Sequence, residues 1–177
     1  SFYIVSPLLG KKSLLKININ DEEIKWESLI GFDYLNYIIT EKGVFYISTN
    51  DFTKGEIGLL DFNLGNIIFK QNGFPNVLVR PLLIGHDVFY ANTQGNIIKF
   101  NLKNFKSKII YESIKKDSFL GVGSSMLFLF ENNIYFIDNF KIFKIIPEKD
   151  KVEIVKNYNK VGFNFIIRDS LNNLKFY

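Results

Sequence analysis

The sequence predicts an all-β chain folded as a β-propeller of about five four-stranded repeat units, the terminal ones incomplete. Three observations predict it. First, FYIVSPLLGKKSLLKININ at 2–20 is matched at equal length by FYISTNDFTKGEIGLLDFN at 45–63. Second, looser copies follow, so that repeats start near 2, 45, 89, 127 and 165, a spacing close to the length of one propeller blade. Third, no long window carries the i, i+3, i+4, i+7 apolar spacing and the cap that a helix needs.

Each copy reads as a hairpin, two aromatic and β-branched runs around a segment with turn chemistry. The turns fall at Gln94-Gly95 in FYANTQGNIIKFN (89–101), at Asn132-Asn133 in LFLFENNIYFID (127–138) and at Asn172-Asn173 in FIIRDSLNNLKFY (165–177). Gly and Asn tolerate the positive φ that a tight hairpin demands. A third run follows each hairpin: EEIKWESL at 22–29, NIIFKQ at 66–71, SKIIYES at 107–113 and KIFKII at 141–146. A fourth precedes the next copy: YLNYIIT at 34–40, NVLVRPLLIG at 76–85, SFLGVG at 118–123 and KVEIVKN at 151–157. This spelling gives about 18 strands, the first repeat lacking its inner strand and the last its outer one.

Several inner runs are apolar at consecutive positions, as in Val44-Phe45-Tyr46-Ile47 and Met126-Leu127-Phe128-Leu129-Phe130. A sheet with one wet face would alternate, so these strands are expected to be covered on both sides, as blades packed face to face would be. The 19 Phe and nine Tyr supply the bulk between them.

Residues 1–177 are read as a single propeller domain or as part of a larger propeller, and 47% apolar content suffices for its core. The chain opens Ser-Phe-Tyr, without Met or a signal core, which reads as a processed chain, a trimmed one or a fragment. Phe2–Pro7 and Leu171–Tyr177 are expected side by side. An open terminal strand edge would template association with a second copy or with a missing remainder of the ring. The apolar runs fall far short of the roughly 18 residues of a membrane-spanning helix, so no membrane span is expected. Without cysteine there is no disulfide and no thiolate site, and the compartment is left open.

The net charge of +4 is uneven: residues 1–80 carry 8 basic and 9 acidic side chains, and the later residues 14 and 9. The excess Lys alternates with apolar residues, as in Lys141-Ile142-Phe143-Lys144-Ile145, which is how the solvated side of outer strands looks. Nucleic acid is therefore not the expected partner; a protein is.

In GEIGLLDFNLGN (55–66) Asp61 precedes a Gly65 turn, and GNIIKFNLKN (95–104) ends its strand on Asn101. These stretches resemble the strand ends of TolB-like and quinoprotein-like β-propeller repeats, in which Asp or Asn closes the third strand and a turn leads to the fourth. The Trp-Asp dipeptide of WD repeats is missing, since Glu27 follows Trp26, and so is the tryptophan-docking motif of quinoprotein enzymes. The resemblance therefore implies the fold and no quinone; no cofactor is expected.

Four residues are weak candidates for a functional loop: His86, Asp87, Arg80 and Arg168. His86 and Asp87, in IGHDVFY, have the types of a catalytic relay but no evident nucleophile, and their place is a turn between the first two strands of a blade. Arg80 and Arg168 are the only arginines, too few for the arginine triad of sialidase-type propellers. Asp21-Glu22-Glu23 reads as a solvated loop rather than a hard-cation site, and Gly121 and Gly123 lack the helix that a phosphate loop requires. No catalytic, cofactor or metal residue is assigned. The expected function is a non-catalytic scaffold for protein–protein interaction. The alternative is the propeller domain of a hydrolase or lyase, as a prolyl-oligopeptidase-like gate or with a small-molecule-binding channel.

Overall fold

The computed structural model describes residues 3–8, 13–31, 34–50, 54–113, 127–139, 141–157, 166–168 and 174–176. The chain divides into two compact units, residues 1–77 and 78–177. In the first unit, β1 (Tyr3–Leu8), β2 (Ser13–Asn18) and β3 (Glu23–Leu29) form sheet 1, and β4 (Tyr34–Thr40), β5 (Gly43–Thr49), β6 (Gly55–Leu60) and β7 (Ile67–Gly73) form sheet 2. In the second, β8 (Leu82–Ile84), β9 (Asp87–Ala91), β10 (Ile97–Asn101) and β11 (Lys106–Tyr111) form sheet 3. There β12 (Phe128–Phe130), β13 (Asn133–Asp138), β14 (Lys141–Ile146) and β15 (Lys151–Asn157) form sheet 4, and β16 (Ile166–Arg168) pairs with β17 (Leu174–Phe176) as sheet 5. Every pairing is antiparallel between neighbours in sequence.

Burial follows strand position. In sheet 2 every residue of β5 and β6 is buried, although Ser48, Thr49 and Glu56 are polar, whereas β7 is mostly exposed. The outer strands β11 and β15 are mostly exposed as well. Consecutive apolar residues mark a strand covered on both faces at Val44–Ile47, as expected, but not at Phe128–Phe130, where Leu129 is exposed and its neighbours are half-buried, because β12 is the end strand of its sheet. Gly58 shows how closely β5 and β6 are packed: a Cβ there would collide with the ring of Tyr46, which lies over the position.

The turn into each outer strand repeats one geometry. Asp61 Oδ1 accepts from the backbone N–H of Asn63 and Leu64 at 2.8 and 2.7 Å, and Asn101 Oδ1 accepts from those of Lys103 and Asn104 at 3.0 and 3.3 Å. Four residues after the Asx residue the backbone is left-handed: Glu22 after Asn18 (φ 58), Gly65 after Asp61 (φ 73) and Phe105 after Asn101 (φ 57). In sheet 4 Ile146 takes the place of the Asx residue, a 3-10 turn over Pro147–Lys149 replaces its side-chain bonds, and Asp150 is left-handed at φ 48. Asx side chains hold such turns by bonding backbone N–H groups two and three residues on.

Each outer strand also carries one extra residue. The register shifts opposite Lys16/Ile17, Leu59/Leu60, Ile97/Ile98 and Ile142/Phe143, which leaves Lys25, Ile68, Ile110 and Val155 as bulged residues. A bulge bends and twists an edge, which blunts its capacity to template another strand.

The structure has 17 strands among the described residues, in five sheets of three, four, four, four and two. The sequence reading departs from it at four places. The run at 76–85 is not one strand: residues 77–79 form a turn and a bend and only Leu82–Ile84 pairs, with Pro81, which lacks a backbone donor, immediately before it. The fourth hairpin turns on Glu131 and Asn132, with φ 47 and 59, one residue before the expected Asn132-Asn133. That hairpin supplies the first and second strands of its sheet, where the copies at 45 and 89 supply the second and third. KVEIVKN is accordingly the outer strand of sheet 4, and not the first strand of the next. The run at 118–123 and the turn at Asn172-Asn173 lie outside the described residues.

Candidate functional site

The densest polar constellation lies in the second unit, where sheets 3 and 4 meet. Lys99, on β10, stands directly opposite Lys108 on β11. Like charges so placed repel. Asp150, at the left-handed corner of the β14–β15 turn, resolves the conflict by receiving both: Lys99 Nζ lies 2.8 Å from one carboxylate oxygen and Lys108 Nζ 3.1 Å from the other. Lys99 Nζ also lies 3.1 Å from Asp87 and donates to the Pro147 carbonyl at 3.4 Å. Asn101 Nδ2 donates to the second Asp87 oxygen at 2.6 Å. Burial would lower the Lys99 pKa, but its hydrogen bonds to Asp150 and Asp87 outweigh that and hold it above the ordinary lysine value. The hydrogen bond from Lys99 holds Asp150 below the ordinary carboxylate value against a partial burial that acts the other way.

The first unit repeats this reach across sheets with different chemistry. Lys16 and Lys99 each precede the closing Asn of their strand by two residues. Lys16 Nζ donates to the Phe62 carbonyl at 2.9 Å and stands 3.9 Å above the Phe62 ring. Trp26 Nε1 donates to the same carbonyl at 3.0 Å, and Ser28 Oγ bonds the Gly65 carbonyl. Phe62 and Pro147 are both first residues of the turn into an outer strand, so one lysine in each unit reaches the neighbouring sheet at the same point.

Two buried carboxylates complete the inventory. Asp138 Oδ2 accepts from Tyr111 Oη at 2.7 Å and Ser113 Oγ at 2.9 Å, joining the end of β13 to the segment that leaves sheet 3. Glu56 accepts from Tyr46 Oη at 2.8 Å and pairs with Lys70 Nζ at 2.7 Å. Burial, with Glu56 beside it, raises the Tyr46 pKa far above the ordinary phenol value, and burial pushes Tyr90 up to about 12 against the opposing hydrogen bond with Ser107.

Of the residues singled out in the sequence, Asp87 is part of the Lys99 cluster. His86 is next to it in the two-residue β8–β9 turn, where its carbonyl accepts from the Leu102 N–H at 2.9 Å. Arg80 is exposed between β7 and β8. Arg168 lies in β16, and its side chain is outside the described residues. Asp21 is spent on its own turn, accepting from Asn18 Nδ2 at 2.7 Å and the Glu23 N–H at 3.0 Å. Gly121 and Gly123 fall outside the described residues. Sequence reasoning missed Lys99 and Asp150, which lie 51 residues apart; the one signal was the lysine two residues before a strand-closing Asn. Among the described residues no group of three or more His, Asp or Glu is placed to hold a metal ion, and no helix is long and apolar enough to cross a membrane.

No family model matches the chain, and no curated protein does. Solved structures do. BamB from Moraxella catarrhalis superposes with a TM-score of 0.61 at 11% identity, over 85% of this chain and 47% of that one. Hsv2 from Kluyvelomyces marxianus superposes with a TM-score of 0.64 at 12% identity, over 93% of this chain and 51% of that one. Both are β-propellers. The chain spans about half the length of each. Repeated four-stranded antiparallel sheets, with buried inner strands and a recurrent turn into the outer one, agree with that architecture, and the likeness shows an all-β fold of the β-propeller type.

Proposed function

We propose that the chain is a non-catalytic β-propeller scaffold that presents blade turns and outer strands to a protein partner. One observation carries this reading: the clustered carboxylates that have the chemistry for catalysis are committed to ion pairs and hydrogen bonds within and between sheets. Asp87 and Asp150 hold Lys99, Asp138 holds Tyr111 and Ser113, and Glu56 holds Tyr46 and Lys70. A general base must have the proton it abstracts within hydrogen-bond reach, and a nucleophile needs such a base beside it. The hydroxyls paired here, Tyr46, Tyr111 and Ser113, are buried under apolar neighbours, and the first of them has its pKa raised. The same fold hosts many functions, so the reading rests on the side chains and not on the architecture.

Two measurements test it. Cross-linking of the protein expressed in its own cells, followed by reconstitution with the purified candidate, should give a stoichiometric protein complex. A screen with ester, peptide and glycoside substrates should show no turnover above background. Turnover that disappears in His86→Ala would replace the scaffold by a hydrolase or lyase domain.

A further inference from the structure

We propose that the turn end of sheets 3 and 4 is a docking surface for an acidic segment of a partner protein that also carries aliphatic side chains. The proposal rests on the scaffold reading and names its surface and the chemistry of its partner.

Charge is the first argument. The β10–β11 turn and the β14–β15 turn lie side by side, since Lys99 reaches Pro147 and Lys108 reaches Asp150 between them. Within the cluster Asp87 and Asp150 balance Lys99 and Lys108, and Glu153 pairs with Lys151 at 2.7 Å. Lys103 in one turn, Lys106 at the start of β11 and Lys149 in the other turn are exposed and form no ion pair among the described residues. With Lys144 on β14, and with Glu148 and, in the β12–β13 turn at the same end, Glu131 as the remaining acids, this end holds a surplus of two positive charges. Charge concentrated in one place steers an oppositely charged partner and selects against like-charged ones.

The second argument separates a polypeptide from other polyanions. The turn's aromatic residue, Phe105, is stacked on Phe100 at 6.4 Å and is half-buried, so it is no platform for a base. The surface has no arginine to grip a phosphate bidentately, and Glu148 and Glu153 interrupt any continuous ladder of phosphate contacts. Instead, exposed aliphatic side chains adjoin the lysines on the two outer strands: Ile109 is 49% exposed, Ile154 54% and Val155 47%. Those strands are neighbours in the second unit. A segment bearing carboxylates together with leucine or isoleucine satisfies both features, and the bulges at Ile110 and Val155 direct it to side-chain contact rather than strand addition.

The experiment uses a fluorescently labelled peptide alternating glutamate with leucine, with oligothymidylate and phosphatidylserine vesicles as competing probes. The wild-type chain should bind the peptide, more weakly as salt is raised. Reversal of three charges, Lys103→Glu with Lys106→Glu and Lys149→Glu, should weaken binding about tenfold or more, whereas Lys42→Glu with Lys54→Glu should change it less than about twofold. All five positions are exposed, and an unchanged melting curve verifies folding of both variants. Equal losses in the two variants, a wild type that ignores the peptide, or preference for either competing probe through the same lysines would overturn the surface. A silent wild type leaves the scaffold reading to its own cross-linking test. Turnover in the substrate screen would defeat that reading while peptide binding stays measurable.

Discussion

Lys99 and Lys108 are cross-strand partners of like charge, and their ammonium groups converge on the two oxygens of one carboxylate, that of Asp150 in the adjacent sheet. Intersheet contact and the relief of an intrasheet repulsion are here the same interaction. Asp150→Asn keeps the shape and removes the charge; it should lower stability by about 1 kcal/mol, most of it suppressed by high salt. The pH dependence has two sides. Asp150 has a folded-state pKa below its ordinary value, so its contribution is full above that ordinary value and is lost as pH falls through the folded one. Lys99 has a raised folded-state pKa, so its contribution is full below the ordinary lysine value and is lost as pH rises through the folded one. Urea titrations across pH should show the acid-side loss shrink in Asp150→Asn.

Gly58→Ala places a methyl group inside the volume held by the Tyr46 ring, in a pair of strands buried along their full length. Overpacking of this kind costs about 1–3 kcal/mol. In a Tyr46→Leu background the cost should fall by at least half, and a double-mutant cycle by chemical denaturation measures the coupling.

Asp138→Ala leaves the hydroxyls of Tyr111 and Ser113 buried without the acceptor they share. The loss should be about 2–3 kcal/mol. Tyr111→Phe with Ser113→Ala, in the Asp138→Ala background, should restore part of it, because the donors go with the acceptor. Equal destabilisation in both variants would show that packing and not the hydrogen bonds joins these sheets.

The recurrent left-handed corner predicts effects of opposite sign at equivalent positions. Glu22 adopts φ 58 with a side chain that this conformation disfavours, so Glu22→Gly should stabilise the protein by about 0.5–1 kcal/mol. Gly65 adopts φ 73 against the Trp26 ring, so Gly65→Ala should destabilise it by about 1–2 kcal/mol. Melting temperatures of the two variants decide the matter.

Much of the fold was legible because it is written locally. Consecutive apolar residues in Val44–Ile47 marked strands covered on two faces, and Asp61 and Asn101 marked the ends of third strands with the turns they hold. What failed was phase. In the fourth copy Phe128–Phe130 has the same aromatic look as a second strand but is a first one, and similarity of composition cannot distinguish strands that share an environment. Pro81 was visible in the run at 76–85, yet an apolar stretch that ends buried at Val77 and Val79 looks like a strand whether or not it pairs. The site was half legible. Asp87 stood out by its neighbour His86, whereas its partner Lys99 looked like any solvated lysine on an alternating strand, and Asp150 acquires its role only when the third and fourth sheets come together.

The extra residue in each outer strand has a consequence for shape. In a strand, odd and even positions face opposite ways, and one inserted residue exchanges the numbering, not the faces, from that point on. Trp26 follows the bulged Lys25, and Tyr111 follows the bulged Ile110; each turns its polar tip toward the next sheet, Trp26 to the Phe62 carbonyl and Tyr111 to Asp138. Delete the bulged residue and each anchor keeps its cross-strand partner and its face, Trp26 opposite Lys16 and Tyr111 opposite Ile97; what is lost is the local bend and twist that the bulge gives the outer strand. A one-codon deletion at either place would leave each sheet with its strands and its faces but straighten the outer strand, so the spare residue supplies the bend that carries Trp26 to the Phe62 carbonyl and Tyr111 to Asp138.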